Sequence, residues 1–328
     1  MNIDHLKFLK CPICKGNLKL AKTANDKNIV DAEILCDSNH KYPIIRGIPR
    51  FVKLNNYSNN FGLQWNFFDR TQVDKFSKNN ESKLRFETEM NYSNDWIDKK
   101  IILDVGCGAG RFLEHSSKKA ELVVGIDLSN SVEAAYENFK DVKNILIVQC
   151  DIYNLPFDSN TFDGAYSIGV IQHTPNPIKA IISVANHLKK NGVFGMTMYE
   201  KKKWTMLNGK YIIRHLTKRI PEKFLLFALI ISMPILFPIS QVLFYLPFIG
   251  KLFSFIIPIC DYSKVKNISL KARYSGVLLD TFDMLAPAYD NPLTKKEANI
   301  LFQKYFKNIR SNRFVYKSSG INLVGKKI

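Results

Sequence analysis

The stretch Ile101–Arg111, I-I-L-D-V-G-C-G-A-G-R, constrains this chain more than any other. Apolar residues lead into Asp104, and glycines then take the alternate positions Gly106, Gly108 and Gly110. An apolar run bounded by glycines predicts a buried parallel strand that turns sharply into a helix. Glycine has no Cβ, so such a turn can take positive φ and bring its backbone close to a ligand. A helix beginning near Gly110 would aim its unpaired N–H groups at the same point. Taken alone, the loop suits either of two classes of cofactor, or a tight turn with no ligand. A dinucleotide site asks for G-x-G-x-x-G. Here Arg111 stands at the place of the third glycine, which comes one residue early.

The residues downstream narrow the choice. Val123–Ile126 reads as a second strand ending at Asp127, where an acid can accept both hydroxyls of a ribose. Ile145–Val148 reads as a third strand, followed by Asp151, and Phe162–Ser167 as a fourth. Alternating strands and helices predict a parallel sheet with helices on both faces. The form D-x-G-x-G-x-G resembles motif I of the class I S-adenosylmethionine-dependent methyltransferases. Gly169–Pro177, G-V-I-Q-H-T-P-N-P, resembles that family's G-V-L-x-H-T-P-D-P segment. His187–Gly192, H-L-K-K-N-G, is similar to its L-K-P-G-G turn before a fifth strand, Val193–Met198. The resemblance implies a Rossmann-like, doubly wound seven-stranded α/β sheet. It also implies that Asp104 reaches the methionine amino group of S-adenosyl-L-methionine and that Gly106, Gly108 and Gly110 give close backbone approach. Asp127 with Leu128 would then hold the ribose, Asp151 with Ile152 the adenine, and Ser167 would line the sulfonium side. His173 is the first candidate for a general base and Asp283 the second.

Residues 1–55 carry a different signal. Cys11 and Cys14 form C-P-x-C, and Cys36 is followed by His40. Two ligand pairs at knuckle spacing, ~20 residues apart, are what a tetrahedral zinc ribbon needs. So short a segment has little core, and a structural Zn2+ would supply the missing stability. Most ribbons carry a second C-x-x-C. Here Asn39 takes the place of that cysteine, which makes His40 the fourth ligand. Tyr42–Phe51, Y-P-I-I-R-G-I-P-R-F, resembles the ending of the Trm112-like zinc domain, which often precedes a methyltransferase in one chain. The ligand pairing is also similar to the zinc finger of bacterial ribosomal-RNA guanine methyltransferases.

Residues 56–100 read as a helical lead-in after a turn-like linker, Tyr57–Asn60. F-G-L-Q-W at positions 61–65 and the S-x-x-R-F segment from Ser82 to Phe86 resemble the lead-in of methyltransferases with this domain order. By that likeness Gln64, Trp65 and Arg85 close the cofactor site, with Arg85 placed to pair with a carboxylate.

The catalytic domain, residues 101–328, is interrupted at about 201–290 by a basic and then hydrophobic insertion. Lys201–Lys203, Lys210, Arg214, Lys218, Arg219 and Lys223 precede Phe224–Gly250, which holds no charged residue. That run is long enough to span a bilayer. A single crossing would part the last elements of the sheet from the rest, and two crossings need ~40 apolar residues plus a turn, a run that Lys251 with Pro234, Pro238, Pro247 and Pro258 should break. The expectation is therefore no crossing. The options are a helical hairpin in the membrane interface at about 224–260, a lid, or a homodimer contact. Beyond it, L-D-T-F-D-M-L-A-P-A-Y at 279–289 is similar to the family's D-x-F-S-P-x-Y segment, which makes Asp280, Asp283 and Tyr289 acceptor-side candidates. Thr294 and Glu297 form a helix capping box, and Phe314–Tyr316 with Ile321–Val324 would complete the sheet.

The net charge of +18 permits nucleic acid, an anionic membrane or phosphorylated substrates. Six cysteines in 328 residues do not make a disulfide framework, and residues 1–10 do not read as a secretory signal. The setting expected is cytoplasmic, peripheral on the inner face of a membrane. The reading is a methyltransferase acting on a sugar hydroxyl of a small-molecule, surface-glycan or lipid-linked precursor. A ribosomal or transfer RNA base comes second, because the densest basic run borders a greasy segment. A subunit docked into a larger assembly through the ribbon is the third reading.

Overall fold

The computed structural model describes residues 1–21, 28–53, 56–78, 80–93, 95–266, 268–312 and 320–328. The first strands, β1 (Leu18–Leu20), β2 (Ala32–Cys36), β3 (Lys41–Ile45) and β4 (Ile48–Pro49), pair in that order as an antiparallel sheet. Three helices follow: α1 (Asn59–Phe67), α2 (Asp74–Ser77) and α3 (Glu81–Glu89). The helix begins inside the stretch expected to be a linker, because Ser58 to Asn60 are drawn in by packing; Ser58 and Asn60 are both buried.

Strands β5 (Ile101–Val105), β6 (Leu122–Asp127), β7 (Ile145–Gln149), β8 (Phe162–Ile168) and β9 (Leu188–Tyr199) alternate with α4 (Leu113–Ser116), α5 (Val132–Phe139) and α6 (Pro177–His187). Then come α7 (Gly209–Thr217), α8 (Glu222–Tyr245), α9 (Gly250–Ile256), α10 (Leu270–Leu285) and α11 (Lys295–Tyr305), and last β10 (Phe306–Arg310) and β11 (Gly320–Lys327). The large sheet has seven strands in the order β10-β11-β9-β8-β5-β6-β7. β5 to β9 run parallel, and β11 lies antiparallel to both β9 and β10. The strand order reverses at β5, and a crevice opens at the carboxyl ends of strands on either side of such a point. The capping box of α11 forms as expected, with Glu297 N donating to Thr294 Oγ1 at 3.2 Å. The sixth strand, however, is Phe306–Arg310, while Phe314–Tyr316 lies outside the described residues.

The N-terminal sheet shares one apolar core with the large one. Leu9, Ile34 and Ile44 belong to the same buried cluster as Leu122, Leu146 and Leu155. Phe51 N donates to Gln149 O at 2.8 Å on the edge strand β7. Beside it the buried Arg50 donates to Gln149 Oε1 at 2.7 Å and Glu133 Oε1 at 2.9 Å. The ribbon thus packs on the sheet edge as a structural module.

The insertion corrects one expectation. Pro234 and Pro238 do not break the apolar run; both lie inside the 24-residue α8. An interior proline costs a helix roughly 3 kcal/mol. Packing outweighs that here, because Leu225, Leu229, Met233 and Phe244 bury one face of α8 along its whole length against Val277, Leu278 and Phe282 of α10. Both prolines are exposed, bordering a groove with Leu270 and Tyr274 at the start of α10.

Candidate functional site

The glycine loop forms where β5 ends, at the reversal of strand order. Gly106, Gly108 and Gly110 have φ of 76°, 53° and 89°, all in the left-handed region that a Cβ disfavours. A Cβ on Gly106 would lie 2.4 Å from Val170, and one on Gly110 2.5 Å from Phe139. Gly108 instead faces the indole of Trp65, 3.2 Å from its Cβ position. At the end of β6, Asp127 Oδ2 accepts from Gly108 N at 3.1 Å, and Oδ1 accepts from both Ser129 N and Ser129 Oγ at 2.8 Å. Asp127 therefore orders the loop as well as facing the crevice.

Asp104 is buried beneath the loop, and its Oδ2 has no hydrogen-bond partner among the described residues. Burial pushes its carboxyl up to about 8, against a smaller downward pull from the Tyr166 hydroxyl. A buried carboxyl with an empty lone pair is a site waiting for a cation. Asp151, after β7, is half-buried; burial raises its pKa, and Tyr153 N bonds its Oδ1 at 3.0 Å. Tyr57 stands near both Asp151 and Asp127. Leu128 turns its carbonyl to Asn56 Nδ2 at 3.0 Å and Gln149 Nε2 at 3.1 Å, and Ile152 is buried. Ser167 spends its hydroxyl on Val105 O at 3.2 Å, under the loop. Three positive-φ glycines, a strand-end acid and a buried unpaired carboxyl fit a nucleoside that carries an amino acid.

The lead-in covers this crevice. α1 lays Trp65 over Gly108 and Gly62 against Asn130, and sets Phe61 5.2 Å from the His173 ring. Arg111 fastens the neighbouring segment, donating from Nε to Ser82 Oγ at 2.9 Å and from Nη1 to Gln72 Oε1 at 2.7 Å. That is the physical reason for arginine where a dinucleotide loop has glycine. Arg85 donates to the buried Glu89 at 3.0 Å, with Nη2 at 4.0 Å from the Cβ position of Gly169.

Opposite the loop lies a patch of acids contributed by the insertion. Gln64 Nε2 donates to Asp283 Oδ1 at 3.1 Å. One turn earlier on α10, Asp280 accepts from the Tyr262 hydroxyl at 2.6 Å, and burial pushes its carboxyl up to about 6. Tyr199, at the end of β9, faces Asp283, Asp290 and Asp280, and its hydroxyl is pushed up chiefly by burial. Lys210 pairs with Asp290 at 2.8 Å and lies 4.6 Å over the Tyr199 ring. His173 sits between these groups and α1. Its Nδ1 is 3.1 Å from Tyr289 O, which can only accept, so neutral His173 carries its proton there. Its Nε2 is buried without a partner among the described residues. Tyr289 turns its own ring edge-on to Tyr57 at 5.2 Å.

Cys11, Cys14, Cys36 and His40 converge, their ligand atoms all within 4.8 Å of one another. His40 Nδ1 lies 3.5 Å from Cys11 Sγ and 3.4 Å from Cys36 Sγ, and Cys14 and Cys36 sulfurs are 3.5 Å apart. Such separations are close to the edges of a tetrahedron with metal–ligand bonds of ~2.0–2.3 Å. Lys15 (φ 60°) and Asn39 (φ 61°) make the two tight knuckles. The backbone N–H of Gly16, foremost, holds the Cys14 thiol down at about 7. The donor set could hold a metal ion.

Residues 103–196 match the family model described as a methyltransferase domain. This part of the chain is a methyltransferase domain. The ubiquinone biosynthesis O-methyltransferase of Coxiella burnetii is 31% identical over 125 residues, 36% of this chain and 53% of that protein. The 18S rRNA (guanine-N(7))-methyltransferase bud23 of Schizosaccharomyces pombe is 30% identical over 118 residues, 34% of this chain and 43% of that protein. The chain thus spans about half the length of the curated relatives it matches. Among solved structures, a SAM-dependent methyltransferase from Aquifex aeolicus is 13% identical, covering 75% of this chain and 96% of its own, with a TM-score of 0.38. The methyltransferase domain holds the glycine loop, Asp127, Asp151 and His173. Gln64, Asp280 and Asp283 come to it from outside the matched residues.

Sequence reasoning missed Tyr57, Tyr199, Tyr262, Lys210 and Asp290. Tyr57 sits in what reads as a linker. The others lie in or beside the insertion, where no local pattern marks them.

Proposed function

We propose that the chain transfers the methyl group of S-adenosyl-L-methionine to a sugar hydroxyl of a surface-glycan or lipid-linked precursor. When bound, the cofactor supplies a methyl group already activated on a sulfonium. Asp104 would take its ammonium group, Asp127 and Leu128 the ribose, and Asp151 and Ile152 the adenine, with α1 closing over them. The protein's own contribution is then to orient the acceptor in line and exclude water. The observation that carries the acceptor reading is the acid-rich face of α10 tied to α1. Carboxyls such as Asp280 and Asp283, beside Tyr262 and Gln64, suit an acceptor with several hydroxyls. His173, with Nε2 unpartnered, would receive the hydroxyl proton, and Asp283 is the second candidate. The Cys11–Cys14–Cys36–His40 set would hold a structural Zn2+. The setting proposed is the cytoplasm, at the inner face of a membrane.

An RNA base is the second reading, supported by the net charge of +18 and by relatives named as an 18S rRNA (guanine-N(7))-methyltransferase and a tRNA U34 carboxymethyltransferase. Transfer of labelled methyl to separated lipid, glycan and RNA extracts tests both. Label in glycan or lipid supports the first reading; label confined to RNA overturns it.

A further inference from the structure

The insertion departs from the ordinary distribution of polar and apolar side chains by exposing apolar residues on its outward faces. On α7 the inward face buries Tyr211 together with two polar side chains. Arg214 is buried and donates to Met284 O at 3.1 Å and Pro287 O at 2.7 Å, and Thr217 Oγ1 donates to Leu285 O at 2.9 Å. The outward face presents Ile212 and Leu216 to solvent. α8 is apolar on both sides. One side packs on α10; the other exposes Phe227, Ile231, Ile235 and Val242, and only 28% of its most apolar stretch is buried. At 1.5 Å per residue the 24-residue α8 is about 36 Å long, and the stripe from Phe227 to Val242 covers about 23 Å of it. At its far end Phe248, in the turn before α9, is 99% exposed. An exposed apolar face of this extent needs a partner.

Charge identifies the partner. Residues 201–260 contain nine lysines and arginines and one acid, Glu222. Lys210 and Arg214 point inward, while Lys218, Arg219 and Lys223 stand exposed at the head of α8 and Lys251 at its tail. Apolar side chains framed by cations match lipid tails beneath anionic headgroups.

We propose that the outward face of α7, α8 and α9 docks on an anionic lipid bilayer, with α8 lying in the plane of the interface. α8 is long and apolar enough to cross a membrane, but its contacts hold it flat. Gln241, near its C-terminus, bonds Cys260 O at 3.2 Å and receives Tyr262 N at 2.9 Å. Tyr262 in turn reaches Asp280, and the chain returns to the sheet beside its point of departure, with Gly320 opposite Tyr199. A crossing would tear these contacts apart. The arrangement also sets a distance. α10 packs on the inward side of α8, and packed helices lie 8–10 Å apart. Asp280 and Asp283 therefore sit about one helix layer above the bilayer, within reach of the headgroup of an anchored lipid. That link to the acceptor rests on the function proposed above; the docking itself does not.

Flotation of the full chain with vesicles reads docking alone. The wild type is expected to float with phosphatidylglycerol-containing vesicles and far less with pure phosphatidylcholine. The triple variant Ile231→Glu, Ile235→Glu, Val242→Glu changes only exposed positions, so circular dichroism should match wild type while flotation is lost. Lys218→Glu, Arg219→Glu, Lys223→Glu should lower partitioning on the order of a hundredfold on anionic vesicles. Failure of the wild type to float, or equal flotation of the Ile231 triple variant, overturns the proposal. So does a wild type that binds no vesicles and forms a dimer which the triple variant turns into a monomer, since a second copy would then cover the face. Label appearing only in RNA would remove the lipid acceptor and leave the docking result standing.

Discussion

Gln64 of α1 donates to Asp283 of α10 at 3.1 Å, joining residues 219 positions apart. The bond ties the helix over the glycine loop to α10. In the function proposed above, closure over the cofactor and assembly of the acceptor side are then coupled. Gln64→Leu removes the bond and leaves Asp283 without its donor, a loss of about 1–2 kcal/mol. Cofactor affinity is expected to fall roughly tenfold, with a similar rise in KM for the acceptor. Calorimetry with S-adenosylhomocysteine checks the first effect; an unchanged dissociation constant would mean that α1 closes without Asp283.

Asp104 gives a pH dependence with a defined sign. Its folded pKa of about 8 lies above the ~3.9 of an unfolded aspartate, so the folded protein holds the extra proton between these values. Ligand-free stability contributed by this group should fall as pH rises through that window. Asp104→Asn should flatten the slope, and the difference between the two proteins in urea midpoint from about pH 5 to about pH 8 isolates the group. Asp280, raised in the same direction, acts equally in both proteins. A cationic ligand that needs the ionised carboxylate should bind more tightly as pH rises towards 8 and release a proton on binding. Parallel slopes for wild type and Asp104→Asn would refute the assignment.

Cys14 tests the metal. It is exposed, so Cys14→Ser costs little in packing. If the four side chains hold zinc, the variant should lose about one metal ion per chain and at least ~5 °C in Tm, because binding energy in such ribbons is folding energy. Elemental analysis and a thermal melt decide the matter. A native protein without zinc, whose Tm matches that of the variant, would leave the cluster as plain thiols.

What the sequence made legible was local. The glycine loop, Asp127 and Asp151 each follow a short apolar strand, so the local pattern alone places them at the ends of β5, β6 and β7. Cys11 to His40 could be read the same way. Asp280 and Asp283 were legible by resemblance, but Tyr199, Tyr262 and Lys210 were not, because they join those acids only after the insertion folds back on the sheet. The prolines of α8 misled for a related reason. Propensity predicted a break at Pro234 and Pro238, but a continuous buried stripe held the helix together. α7 was legible as basic and apolar, yet which face it buries depends on the α10 carbonyls that Arg214 reaches.

His173 is the sharpest test of the chemistry. Tyr289 O fixes the proton on Nδ1, which leaves Nε2 as a buried acceptor with no partner among the described residues. A general base of this kind contributes ~10²–10⁴ in rate. His173→Ala would also release Tyr289, so its loss of activity alone would be ambiguous. His173→Asn retains a side-chain N–H that can reach the same carbonyl but has no basic nitrogen. The expectation is a fold and cofactor affinity close to wild type and a kcat lower by at least about a hundredfold. If His173→Asn keeps wild-type kcat while His173→Ala loses stability, the imidazole serves to hold the loop at Tyr289, and the proton leaves by way of Asp283.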